Sequence, residues 1–425
     1  MRPIRVVHLG LGGFFRAHQA WYTGFDEEWG IAAFTGRSAE LAESLTKQDG
    51  RYTLVVRGPS ADDPQVQTSV VAAHPGSDAA TWRSLVALPS VSVITLTMTE
   101  AAYAPDGVVA DRLVNGLAAR RLAGSGPLAV VSCDNVPGNG EVTARVVRDL
   151  AARLDPALDE WIEAHVSFVT TMVDRITPRT TPADVREVAA TGGWQDAVPV
   201  VTEPYTEWVL SGDFPAGRPA WERGGARFVD DVVPHETRKL LLLNGGHSLL
   251  AYAGSALGHE TVAAAVGDPV CRGWLDEWWD EACRHVPLPA EELDAYRAAL
   301  LERFANPRIR HTLAQIAADG SQKIPIRVLP VLRGERAAGR PAIGAARILA
   351  AWINHLRGIG APISDAGAAP YVSSCGSVRD VLSLLAPDLA EDTELIAEVE
   401  AGGSGVAYWA GRRLAGSGAP TTRPA

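Results

Sequence analysis

The feature that most constrains this chain is a glycine turn close to its N-terminus. Ile4-Arg5-Val6-Val7-His8-Leu9 reads as a short buried strand, followed by Gly10-Leu11-Gly12-Gly13-Phe14-Phe15 and a helical stretch over Ala17–Asp26. Strand, glycine turn and helix in that order let backbone N–H groups and a helix N-terminus approach a pyrophosphate. The candidate cofactor contacts are therefore Leu9, Gly10, Gly12, Gly13, Phe14, Phe15 and Arg16. Phe15 stands where the third glycine of a G-x-G-x-x-G turn would be, so the turn alone also suits a plain strand-to-helix connection.

The rest of the first half continues the alternation. Strands are expected at Gly30–Thr35, Tyr52–Arg57, Val91–Met98 and Pro127–Cys133, and helices at Ser38–Thr46, Leu113–Leu122 and Glu141–Leu154. Such alternation specifies a mostly parallel sheet with helices on both faces. After the second strand a carboxylate would select the ribose hydroxyl of NAD. Here Gly36-Arg37-Ser38 occupies the place, with Glu40 the nearest acid. Arg37 suits adenine stacking, a 2′-phosphate or plain solvation, so NAD and NADP both stay open on these residues.

From about Arg238 the pattern turns helical: Leu240–Leu257, Pro289–Phe304, Ile309–Ala318, Ala342–Leu356, Val378–Leu385 and Ala390–Ala401. The spacing of Trp274, Trp278 and Trp279 favours helix packing over a cofactor box. The expected fold is α/β: a Rossmann-type dinucleotide-binding domain over 1–230, then a mainly α-helical domain over 231–425. Small polar residues make the tail from about 414 to 425 read as disordered.

Composition narrows the function classes. A net charge of −11 argues against a nucleic-acid partner. Cys133, Cys271, Cys283 and Cys375 lie far apart and form no CxxC pair, which fits reduced thiols in a cytoplasmic protein. The N-terminal apolar run is broken by Arg16 and His18 and does not read as a signal peptide. No apolar stretch reaches the ~18 residues of a membrane helix.

The densest chemistry lies in KLLLLNGGH. On a regular helix at about 100° per residue, Lys239, Asn244 and His247 fall near 0°, 140° and 80°, within one arc. Flanking leucines would desolvate the lysine and lower its pKa, suiting it to a general base on an alcohol. The Asn244 carboxamide would stabilise a developing alkoxide, and His247 would orient the hydroxyl. A polar face turned to water is the alternative on spacing alone. Asn135 follows a strand end and is a second candidate for the alkoxide. Asp174 and Arg175 form a charged pair beside an apolar run, and Lys323 sits at an expected turn. The histidines show no metal-ligand spacing, and a lysine base needs no metal.

An ordered set of segments carries a resemblance: HLGLGGFFRAHQAWYT, QDGRYTL, TLTMTEAAY, SCDNVPGNG, MVDRITP, VTEPYTEWV, GRPAWERGGARFVDDVVPHETRKLLLLNGGHS and NPRIRHTLAQIAADGSQKIP. From residue 8 to about 325 the chain resembles the polyol-specific long-chain dehydrogenases, the mannitol dehydrogenase family. The resemblance implies an NAD-dependent, zinc-free oxidoreductase acting on a secondary alcohol of a sugar acid or polyol. It makes Lys239 the general base, Asn135 and Asn244 the oxyanion hole, and His247 the ligand of the reacting oxygen. It gives Val173, Asp174 and Lys323 to the substrate and Glu236 to proton passage to solvent. Mannitol-specific members tend to carry an arginine near Gln315, so QIAADGSQKIP sits closer to the branch acting on mannonate and fructuronate. Arg175, Arg310 and Lys323 are the candidates for neutralising a uronate carboxylate.

Overall fold

The computed structural model describes residues 2–36, 38–105, 107–191 and 194–416. They fold into two compact units that part between Glu236 and Thr237, a few residues beyond the break near 230 expected from the sequence.

The first unit is built on an eight-stranded sheet. Its strands are β1 (Ile4–Leu9), β2 (Gly30–Phe34), β5 (Val70–His74), β6 (Val93–Leu96), β7 (Leu128–Ser132), β8 (Val166–Asp174), β10 (Glu207–Ser211) and β11 (Arg227–Phe228). A smaller sheet holds β3 (Tyr52–Arg57), β4 (Asp62–Gln67) and β9 (Val200–Thr202). Across the large sheet the order is β5-β2-β1-β6-β7-β8, all parallel. This is the doubly wound order of a dinucleotide-binding fold, whose switch point lies between β1 and β6. β10 then pairs antiparallel with β8.

Both faces of the sheet are buried, which explains the unbroken apolar runs. Val6, Val93, Ala129 and Val131 enter one core, while Val7, Leu9, Ile94, Leu96, Leu128 and Val130 enter the other. β4 was not legible because DDPQVQ lacks alternation; it is an edge strand, which is why Pro64 is tolerated there. The first helix also differs from expectation. It begins at Gly13, breaks at His18 (φ −123°, ψ −90°) and resumes as Gln19–Gly24.

Among the described residues, the second unit's regular structure is helical apart from an isolated bridge between Thr261 and Thr312. Three expectations differ locally. The helix foreseen at 309–318 covers only Leu313–Ala317, and Lys323 lies inside a separate helix, Gly320–Arg327, rather than at a turn. The final helix runs over Thr393–Gly416 instead of ending at 401. Buried Leu395, Val399 and Val406 supply the apolar stripe that prolongs it. The rest of the expected tail, 417–425, lies outside the described residues.

Candidate active site

In the first unit the glycine turn sits at the carboxyl end of β1. Gly10 has φ +109°, and a Cβ there would lie 1.9 Å from the Thr97 carbonyl oxygen. Only glycine fits. Gly10 N and Leu11 N donate to Phe34 O at 2.9 and 2.8 Å, and Thr97 Oγ1 donates to Gly10 O at 2.9 Å. The turn is thus pinned to the ends of β2 and β6. His8 lies beneath it, bonded to Thr95 Oγ1 (2.8 Å) and Thr97 Oγ1 (3.0 Å), and burial pushes its pKa down to about 3.

The candidate cofactor residues divide by direction. The Gly12 and Gly13 positions are roomy, since a Cβ would meet nothing closer than 3.6 Å. Phe15 is fully buried and stacks on His8 at 3.6 Å, so its ring belongs to the core. The Arg16 side chain is buried. Its guanidinium turns inward to Gly12 O and Val198 O and lies over the Tyr52 ring. These bonds make the arginine shape the turn, and it also lines a cavity together with Gly13 and Phe14. Leu9 lines a cavity of about 250 Å³ with Thr35, Gly36, Gly76, Ser77, Val108, Asp111 and Arg112. Arg37 lies outside the described residues.

Past β7, the chain alternates in direction. Asp134 is buried, accepts from Met98 N at 2.5 Å and from the Tyr103 hydroxyl, and is pushed up to about 6 by burial. Its neighbour Asn135 is exposed. The sequence reading missed Asn139, which is 1% exposed. Its side chain donates to Asp134 O (2.9 Å) and Thr171 O (2.7 Å) and accepts from Thr171 N (2.9 Å). It therefore ties the Asn135 loop to β8, the strand that ends at Asp174. Val173 packs its side chain into the core, and Asp174 is buried at the strand end. Arg175 is corrected as a carboxylate reader. It is 5% exposed, donates to Ala17 O and Glu203 O, and lies over the Trp21 ring. A guanidinium so used holds the fold.

In the second unit the KLLLLNGGH segment is helical, but not regularly so. Lys239–Asn244 is a π-helical turn, preceded by Val233–Arg238 and followed by the α-helical Gly245–Leu249. A π turn bonds residues five apart, so it draws Asn244 toward the Lys239 face instead of leaving it ~140° away. Gly245 N donates to Leu240 O. That bond takes from Leu241 O the partner a regular helix would give it. Trp278 Nε1 donates to Leu241 O (3.0 Å) and Trp279 Nε1 to Leu242 O (2.9 Å). These tryptophans pack, as their spacing predicts, and the Trp278 indole also replaces the partner that Leu241 O lacks, while Leu242 O accepts from both Gly245 N and Trp279 Nε1.

Lys239, Asn244 and Glu236 are half-buried, and His247 is buried. His247 stacks on Phe304 at 4.7 Å and meets His311 edge-on at 5.0 Å. Arg327 donates to Asn244 O (3.4 Å) and Ser248 Oγ (3.3 Å), which brings the Lys323 helix beside this segment. Lys323 Nζ donates to Ile316 O and Ala318 O, and its pKa is lowered by burial and then by Arg327. Arg310 is exposed. Elsewhere, His259, Asp268 and Cys271 hold metal-capable atoms within 4.8 Å of one another. Helix capping accounts for their grouping: Asp268 caps Pro269–Ala282 and meets His259 Nε2 at 2.8 Å.

A doubly wound sheet with a glycine turn at its first strand, followed by a helical unit bearing a lysine, an asparagine and a histidine on one irregular helix, defines a two-part dehydrogenase architecture. The chain belongs to the mannitol dehydrogenase family: residues 4–223 match its Rossmann domain and 231–400 its C-terminal domain. It is 37% identical over 390 residues to D-mannonate oxidoreductase of Escherichia coli, covering 84% of this chain and 80% of that one. It is 35% identical to mannitol 2-dehydrogenase of Cereibacter sphaeroides, covering 83% and 81%. The solved ternary complex of Pseudomonas fluorescens mannitol 2-dehydrogenase with NAD and D-mannitol superimposes with a TM-score of 0.80. Its identity is 31%, and coverage is 97% of this chain and 95% of that one.

Proposed function

We propose that this protein interconverts a secondary alcohol and a ketone of a linear sugar derivative, with D-mannonate and D-fructuronate as the favoured pair and NAD as the favoured cofactor. The observation that carries the reading is the π-helical turn that draws Lys239 and Asn244 toward one face, with His247 three residues on. The glycine turn fits a dinucleotide: room at Gly12 and Gly13 suits a pyrophosphate, and the cavity beside Leu9, Thr35 and Gly36 suits an adenosine. When bound, NAD supplies the hydride acceptor for oxidation and, reduced, the donor for the reverse.

This chain's residues handle the proton and the charge. Lys239, when unprotonated, takes the hydroxyl proton, and Glu236, three residues earlier, passes it toward solvent. The carboxamide N–H groups of Asn135 and Asn244 donate to the oxygen while it carries negative charge. His247 orients that oxygen, its ring held by Phe304. Asp174 and Lys323 hold substrate hydroxyls, and Val173 contributes main-chain atoms. No metal enters the scheme.

Two features favour the sugar acid: Gln315 in place of the arginine typical of mannitol-specific members, and the basic side chain of Arg327 beside Asn244, with Lys323 one helical turn before it. A polyol dehydrogenase acting on mannitol or arabinitol is the second reading, supported by the mannitol 2-dehydrogenase relatives. A panel of D-mannonate, D-mannitol and D-arabinitol, each with NAD and NADP, separates them. Turnover of mannonate with NAD at least ~10-fold above the polyols is expected. Efficient mannitol oxidation with no mannonate turnover overturns the choice. Tight NADH binding with no turnover on any of them indicates a nucleotide-binding sensor instead.

A further inference from the structure

The π-helical turn is not required by its own sequence. Lys239 and Leu240–Leu243 are good α-helix formers, and the leucines do not disfavour an ordinary i→i+4 register. A π turn sacrifices regular hydrogen bonds and persists where something outside the helix compensates. Here the compensation comes from one neighbouring helix, Pro269–Ala282. Trp278 and Trp279 are both fully buried, and their indole N–H groups reach Leu241 O and Leu242 O at 3.0 and 2.9 Å. The approach is close enough that a Cβ on Gly245 would lie 2.5 Å from the Trp278 ring. Gly246 is similarly crowded, with Leu275 at 3.0 Å and Trp279 Nε1 at 3.3 Å. Two glycines and two indoles thus make one matched contact.

We propose that Trp278 and Trp279 are positioning residues. By donating to Leu241 O and Leu242 O they hold the helix in the five-residue register that sets Asn244 and His247 relative to Lys239. An α-helical register would turn Asn244 away from the Lys239 face by roughly 100° more per residue inserted or lost. A displacement of about 1 Å at a reacting centre already costs ~10²-fold in rate. The indoles therefore act on the rate through the register, without touching substrate. The proposal rests on the assignment of Lys239, Asn244 and His247 as the reacting groups.

The test is Trp278→Phe and Trp279→Phe, made singly in the full chain, so that the ring stays and only the N–H is lost. Trp274→Phe is the control. Trp274 lies on the same helix and is 9% exposed, but it stacks under Arg347 and donates nothing to the π turn. Kinetics with D-mannonate, D-mannitol and NAD across pH are compared with the thermal midpoint of each variant. In Trp278→Phe and Trp279→Phe, kcat is expected to fall at least ~10-fold, with a displaced pH–rate profile and an unchanged KM for NAD. Trp274→Phe is expected to keep kcat and the profile even where its thermal midpoint drops as far.

Equal kcat and pH profiles in all three variants and the parent overturn the positioning role, as does a loss in Trp274→Phe matching the others. Should Trp278→Phe not fold, Trp279→Phe alone decides by the same criteria. Lys239→Ala run alongside separates the two levels. If Lys239→Ala is inactive while both indole variants are normal, only the positioning role fails. If Lys239→Ala turns over normally, the site assignment itself fails.

Discussion

At the scale of single residues, the candidate site rests on backbone geometry and buried hydrogen bonds. Gly10 shows this most sharply. Its positive φ and the Thr97 carbonyl at 1.9 Å from any Cβ mean that Gly10→Ala must displace the turn. Loss of NADH binding by at least ~10-fold is expected, together with destabilisation of about 2 kcal/mol, read by titration and chemical unfolding. Asn139 was invisible to motif reasoning because a lone asparagine after glycine carries no signal in sequence. Its three bonds become evident only once β7 and β8 are neighbours. Asn139→Ala should cost ~1–3 kcal/mol, since it strands buried backbone groups at Thr171, and should lower kcat by loosening the Asn135 loop.

His8 and Asp134 set two opposing pH dependences. His8, at about 3 when folded against 6.5, contributes stability that is lost as pH falls through 6.5. Asp134, at about 6 against 3.8, contributes stability present below 3.8 and lost as pH rises to 6. Relative to the parent, the thermal midpoint deficit of His8→Gln should therefore grow from pH 4 to pH 6. That of Asp134→Asn should shrink over the same range. Parallel trends in the two variants would contradict these environments.

At the scale of elements, legibility followed periodicity. β1, β2, β6 and β7 are buried on both faces and announced themselves as apolar runs. β4 and β11 did not, because an edge strand with a proline and a two-residue pair have no pattern to show. The reactive helix was legible as a helix but not as a π helix. Its irregularity is imposed by Trp278 and Trp279, some 37 residues along the chain. The sequence arithmetic accordingly spread Lys239 and Asn244 farther apart than the fold does. Gly245→Ala tests that contact from the other side. A methyl 2.5 Å from the Trp278 ring should destabilise the protein by ~1–3 kcal/mol, although alanine is the better helix former. A stabilised variant would contradict the packing.

At the scale of the molecule, the chain joins a Rossmann domain of the mannitol dehydrogenase family to that family's helical C-terminal domain, to which the proposed function assigns the general base Lys239. The mostly parallel α/β character was legible from alternating elements, while the strand order and the antiparallel β8–β10 pairing were not, since local sequence states neither a strand's neighbours nor its direction. Saturating NADH should stabilise the whole protein by about 2.7 kcal/mol at a hundredfold excess over its Kd. The thermal midpoint in graded NADH and NADPH measures this, and no shift with either would exclude a dinucleotide site. The substitution Lys239→Ala tests the central claim most directly. In steady-state oxidation with NAD from pH 6 to 10, the account predicts kcat reduced at least ~10²-fold near neutrality, consistent with the usual weight of a general base. Partial rescue by small primary amines is expected as well. Wild-type turnover and an unchanged pH profile in Lys239→Ala would contradict it.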